Sequence, residues 1–221
     1  MSLTLYYHPF SSFCQKVLIA LYENGAPFER VIVDLRDPAS RAAFALVWPL
    51  AKFPVLRDDA RGVTVGESSV IIGYLDRHYP GPAPLIPKDP ETAMRAAMLD
   101  RMIDNYVEVP MQKVVADNFR AEGRHDPQGV DDARAALAAF YPILDAGLGD
   151  DGWAVGQNFT LADCAAAPAL FYANIVQPFA AHPRLAAYYR RLLERPSVAR
   201  TIDEARPYRS FFPLEWPADY R

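Results

Sequence analysis

Apolar and polar positions change their period repeatedly along this chain, and each change predicts an element. Leu3–Tyr7 is a continuous apolar and aromatic run, suited to a strand covered on both faces. His8-Pro9-Phe10 breaks it. Phe13, Val17, Ala20 and Leu21 then recur at helical spacing, with Ser11 or Ser12 as the cap and Asn24-Gly25 as the stop. Phe28–Asp34 reads as a second strand, and Ser40–Leu46 as the core of a short helix ended by Trp48-Pro49. Phe53–Leu56 and Gly62–Val65 read as two further strands joined by a hairpin loop at Arg57–Arg61. Pro54 belongs at the first position of its strand, where the missing N–H breaks no ladder. Glu67-Ser68-Ser69 starts a helix through about Tyr79, with Val70, Ile71, Tyr74 and Leu75 on its apolar face. The order βαβ-ββα describes a small α/β domain over residues 1–81.

Pro82, Pro84 and Pro87 mark residues 82–89 as a linker, and residues 90–221 read as an all-helical domain. A long amphipathic helix carries Ala96, Leu99, Met102, Ile103, Tyr106 and Val107, and Pro110 should kink or divide it. A second helix is expected over Val130–Leu148, locally distorted at Pro142. Phe159-Thr160-Leu161-Ala162-Asp163 has the form of a staple and capping box opening an apolar helix through Cys164–Tyr172. Helices over Pro183–Arg195 and Ser197–Ala205 complete the set. Arg206–Arg221 is aromatic-rich and not helix-like, and is expected to pack back on its own domain over a site edge.

Composition narrows the function classes. The 221 residues are 51% apolar with a net charge of -4 and no Lys/Arg block, which points away from nucleic acid. Apolar runs fall short of the roughly 20 residues that span a bilayer. No basic segment with a cleavage site opens the chain. Cys14 and Cys164 stand alone in opposite halves, which suits two thiols in a reducing cytoplasm.

The candidate chemistry gathers at the first helix start. A Ser11 hydroxyl there can donate to a bound thiolate, or serve only as a cap. Ser12 shares the capping chemistry. Cys14 is either a thiol activated by the helix N-terminus or a buried core residue. His8, next to the turn, is polar support for the site or a surface residue. No hydrolytic triad is spaced recognisably, and the four histidines lack metal-ligand spacing. A cis bond at Pro54 would turn the Phe53 and Val55 backbone toward a ligand. Glu67 and Ser68 can hold the ammonium and carboxylate of an α-amino acid moiety, or simply open a helix.

The segments YYHPFSSFCQKVLIALYENG, KFPVL, GESSVIIGYLD and NFTLAD stand in an order that resembles the cytosolic glutathione transferases, over nearly the whole chain. The resemblance implies a thioredoxin-like N-terminal domain, a proline-bearing linker and an all-α domain. It is similar to the serine-type members (theta, delta, zeta), as a bacterial member would be, and places their active serine on Ser11. It implies a cis-proline at Pro54, flanked by Phe53, with the Val55 backbone meeting glutathione as co-substrate. Lys52 would meet the glycyl carboxylate, and Glu67 with Ser68 the γ-glutamyl group. Thr160 and Asp163 match the folding-related capping box. The zeta signature SSCxxR is broken at Ser11-Ser12-Phe13-Cys14. A small electrophilic, hydrophobic acceptor would sit between the domains, near Tyr106, Met111, Phe119, Phe211 and Trp216, in a cytoplasmic homodimer. Two other readings stand beside it: another glutathione-dependent enzyme (isomerase, dehalogenase or thiol reductase), and a non-catalytic binding protein of the same fold.

Overall fold

The computed structural model describes residues 2–216. Strand β1 (Leu3–Tyr7) is buried along its whole length because it lies inside a four-stranded sheet of order β2-β1-β3-β4. It pairs parallel with β2 (Glu29–Ile32) and antiparallel with β3 (Val55–Asp58), which pairs antiparallel with β4 (Val63–Gly66). Helix α1 (Ser12–Asn24) joins β1 to β2, and α2 (Pro38–Val47) joins β2 to β3. Helix α3 (Ser68–His78) follows β4. Gly25 stops α1 in the left-handed conformation, at φ 63°, donating back to Leu21 and Tyr22.

The register decides where function can sit. Val31, Tyr6, Val55 and Gly66 form one row across the sheet. Just beyond it lie the β1–α1 turn, the loop after β2, the residues entering β3 and those leaving β4.

The second domain is all-helical: α4 (Pro90–Ile103), α5 (Val109–Asp117), α6 (Pro127–Gly147), α7 (Leu161–Val176), α8 (Pro183–Glu194) and α9 (Pro196–Ala205). Helix α7 is apolar on nearly every side and forms its core, as a helix without a polar face must. Helix α1 packs against α3, α7 and α9, so it belongs to both cores. A buried ionic cluster ties α1 to α4 as well. Lys16 of α1 pairs with Asp100 at 2.5 Å and Asp104 at 2.9 Å, and donates to Ser69 of α3 at 2.9 Å. Removing one partner of such a pair strands the other charge, at about 3–5 kcal/mol.

Several elements differ from expectation for physical reasons. Strand β2 is shorter than Phe28–Asp34 because it is a sheet edge, paired only along Thr4–Tyr7. Arg57 and Asp58 belong to β3, since Asp58 faces both Leu3 and Val63, and the turn is carried by residues 59–62. Gly62 supplies its positive φ of 65°. Pro110 divides the long helix through a π-turn over Asp104–Glu108, in which the Val109 N–H reaches the Asp104 carbonyl. Helix α6 runs through Pro142 without ending. The tail opens with a 3-10 turn, Arg206–Phe211, and packs on both domains; Pro217 and the remainder lie outside the described residues.

Candidate functional site

Ser11 caps α1 from extended backbone, its Oγ accepting the Cys14 N–H at 3.4 Å. Its own N–H donates to the His8 carbonyl at 3.0 Å, closing the turn. The Oγ–Cys14 bond uses a lone pair and leaves the hydroxyl proton for another acceptor. His8 proves to be turn support: its Nδ1 accepts the Phe10 N–H at 3.2 Å, which requires an unprotonated nitrogen. Burial lowers the imidazole pKa, in the same direction.

Cys14 is fully buried, and that burial pushes its thiol up to about 12, against smaller opposing effects of the Ser11 side chain and the His8 backbone. The core residue, not the activated thiol, is what the fold contains. Burial also raises Cys164 well above the ordinary thiol value, and both cysteines are free.

The other sequence-predicted residues reach the same end of the sheet. Phe53–Pro54 is a cis peptide, and Val55 is fully buried opposite both Tyr6 and Gly66. Glu67 has a φ of 64°, unusual for a residue with a side chain, and makes no side-chain cap bond, so it is not an ordinary helix cap. Its side chain is exposed, Ser68 is buried and Lys52 is exposed at the rim. Gly66 makes this junction feasible. The Trp48 indole lies where a Cβ on Gly66 would stand only 2.5 Å from it.

Two clefts meet at Ser11. One, of about 250 Å³, is lined by His8, Ser11, the loop residues Asp34 and Arg36, Phe53 and Phe211. The other, of about 290 Å³, has no charged residue in its lining and runs between the domains along Ser12, Met111, Val115, Phe119 and Phe212. Phe10, Ser11, Phe119 and Phe211 border both. Thus Ser11 and Phe53 share a cleft directly, whereas Lys52, Pro54, Val55, Glu67 and Ser68 do not line it; the Val55–Gly66 pairing puts Pro54 and Glu67 at the same end of the sheet.

The tail roofs this junction. Tyr208 meets the His8 ring edge-on at 5.0 Å, and Phe211 lies 5.5 Å from it. Arg36 stacks on Phe211 at 3.8 Å, while its side chain and amide hold Asp34 down at about 2. Phe212 packs on Phe10 and Tyr172. The expected contacts of Met111, Phe119 and Phe211 with the cleft are formed. Trp216 instead lines a separate small cavity with Phe171 and Arg209, and Tyr106 packs on Phe140.

One buried group escaped the sequence reading. Glu108, at the end of the π-turn, accepts from the Ser12 hydroxyl and from the Gln112 amide at 2.7 Å. A signal exists in Asp100, Asp104 and Glu108, acidic residues four apart that share the stripe of buried Ala96, Ile103 and Val107. Among the described residues no group of His, Cys, Asp and Glu could hold a metal ion, and no helix is long and apolar enough to cross a membrane.

Known proteins share this architecture. Residues 5–83 match the glutathione S-transferase N-terminal domain and residues 103–196 the C-terminal domain. A stringent starvation protein A homolog of Coxiella burnetii is 28% identical over 92% of each chain. A glutathione S-transferase of Pseudomonas putida is 30% identical over 87% of each chain. The crystal structure of a glutathione S-transferase from Methylobacterium radiotolerans in complex with glutathione sulfonate is 32% identical, with a TM-score of 0.78 over 90% of this chain and 93% of that one. With the sheet-end junction and the helical second domain, these likenesses show that the chain belongs to the glutathione S-transferase family.

Proposed function

We propose that this protein is a glutathione transferase that joins the thiolate of glutathione to an electrophilic, largely apolar acceptor. One observation carries the reading. The helix-capping Ser11, the Phe53–Pro54 entry to β3 and the Glu67–Ser68 junction converge on one sheet end, beside an apolar cleft that Ser11 also borders.

In this reading Lys52 takes the glycyl carboxylate, and the Val55 backbone takes the cysteinyl group, with Phe53 and Pro54 shaping that edge. Glu67 takes the γ-glutamyl ammonium, and Ser68 with the α3 N-terminus the adjoining carboxylate. Ser11 donates a hydrogen bond from its hydroxyl to the thiolate, as in the serine-type members. Lowering the thiol pKa by about two units corresponds to about 2.7 kcal/mol of preference for the thiolate. The acceptor occupies the cleft of Met111, Val115 and Phe119, and C–S bond formation either displaces its leaving group to solvent or breaks the π bond of an activated double bond, whose carbanion then takes a proton from solvent. The proposed division is a glutathione-binding domain over residues 1–81, a linker over 82–89 and a helical domain over 90–221.

We also place the protein in the cytoplasm, where its two free buried thiols stay reduced, and as a homodimer. Exposed Val70 of α3 and Met94 and Met98 of α4 supply apolar surface for such pairing. Light scattering of the purified chain tests the dimer.

The functional test is conjugation of glutathione to a panel of electrophiles, with titration of the bound thiol. Native turnover with a depressed bound-thiol pKa, lost in Ser11→Ala and kept in Cys14→Ala, is the expected result. Tight glutathione binding without turnover on any electrophile would move the protein to the binding-protein reading. Dependence on Cys14 would make it a thiol reductase.

A further inference from the structure

Glu108 has no role in the scheme above, yet it is 2% exposed behind two residues that line the apolar cleft. The π-turn brings its carboxylate to the start of α1, 96 residues away in sequence. There Ser12 Oγ and Gln112 Nε2 both donate to its Oε1. Such widened turns are frequent at functional sites.

The hydroxyl of Ser12 has a single proton. While that proton goes to an ionised Glu108, Ser12 offers the cleft only lone pairs. A protonated Glu108 reverses the bond: the acid donates to Ser12 Oγ, and the serine proton is released toward the cleft. The proton on Glu108 comes from solvent, and no covalent bond other than O–H changes. Resting on the glutathione reading of this site, we propose that Glu108 is a positioning residue that sets the direction of the Ser12 hydroxyl, and so whether a thiolate at Ser11 meets one serine donor or two.

The surroundings allow both states near neutrality. Burial is the main influence and pushes Glu108 up to about 7. Ser12 and Gln112 pull it down by hydrogen bonding, Asp104 on its own turn raises it and Lys16 of α1 lowers it. Tyr172 of α7 also faces it, as a neutral phenol whose own pKa burial keeps high. Asp100 and Arg101 act behind these, through their pairing with Lys16 and Asp104.

The experiment measures bound-thiol titration and the pH profile of kcat/KM for the native chain, Glu108→Gln, Ser12→Ala and the double variant. Both contacts meet one oxygen, so glutamine imitates the protonated acid with its NH2 in that place, donating one proton to Ser12 Oγ and the other to a Gln112 amide turned to present its carbonyl. The expected result is a native profile with an additional inflection near pH 7 that Glu108→Gln removes. Above that pH, the bound thiolate-to-thiol ratio in Glu108→Gln should be about 3- to 10-fold that of the native chain at equal pH, read as a bound-thiol pKa lower by about 0.5–1. Ser12→Ala alone should also remove the inflection, and in its background Glu108→Gln should add nothing. A gain that survives in the double variant would overturn the proposal in favour of a direct charge effect. So would a native inflection unmoved by either variant. If native glutathione titrates normally but is indifferent to Glu108, only this inference falls; if the native chain binds no glutathione, both fall.

Discussion

Two helices in this molecule begin with a hydroxyl cap near a buried acid, and they are used differently. At the start of α7 the acid is local. Asp163 accepts from the Thr160 amide at 2.8 Å and hydroxyl at 3.0 Å, from Ala154 N–H at 2.8 Å and from Tyr188 at 2.7 Å. All that chemistry is consumed inside the fold. At the start of α1 the acid, Glu108, comes from the other domain, and Ser11 borders open clefts. The same capping motif is therefore structural where its donors are enclosed and available for chemistry where they face a cavity. The residue types do not distinguish the two cases.

Asp163→Ala is expected to have the largest effect on the fold. Deleting the carboxylate leaves several buried donors unpaired, and a stability loss of at least about 3 kcal/mol is expected in denaturant titration. Turnover per folded molecule should persist; if it collapses while stability holds, the contrast between the two helix starts is wrong. Ser11→Ala should give the mirror image. Conjugation should fall about 100-fold, as for a lost anion-stabilising donor, while stability drops by about 1 kcal/mol for a lost cap.

Gly66→Ala sharpens the picture on the other side of the site. The added methyl meets Trp48, and the displacement is passed to Glu67, so KM for glutathione should rise more than kcat falls. Overpacking of this kind costs about 1–3 kcal/mol. The smallest effect concerns Cys14. With its thiol raised to about 12 by burial, it stays protonated through pH 8, so alkylation of the folded chain should be slow and follow unfolding. Rapid labelling at pH 8 that abolishes turnover would return Cys14 to the site.

The alternation of strands and turns through Tyr79 made the element order of the first domain legible, because each apolar run is bounded by Pro, Gly or a capping residue. The capping box at Thr160–Asp163 was equally readable, since all its partners lie within one turn. Strand ends were less so. The limits of β2 and β3 depend on which neighbour supplies a ladder partner, as Asp58 opposite Leu3 illustrates. For the candidate site, Ser11, Phe53 and Glu67 could be singled out by their local settings. Their meeting needed the sheet register. The partnership of Ser12 with Glu108 was invisible because a π-turn, which has no periodic signature, rotates the helix between Ile103 and Val109. The tail showed its aromatic content but not its destination on His8 and Arg36.

That destination has a consequence for how the protein is made. The turn at His8–Ser11 leaves the ribosome about 200 residues before Tyr208 and Phe211, which cover it. At about 5–20 residues per second this is a delay of roughly 10–40 s. Through that interval the nascent sheet carries an uncovered aromatic surface. It stays open until synthesis reaches Tyr208 and Phe211, the residues that roof it.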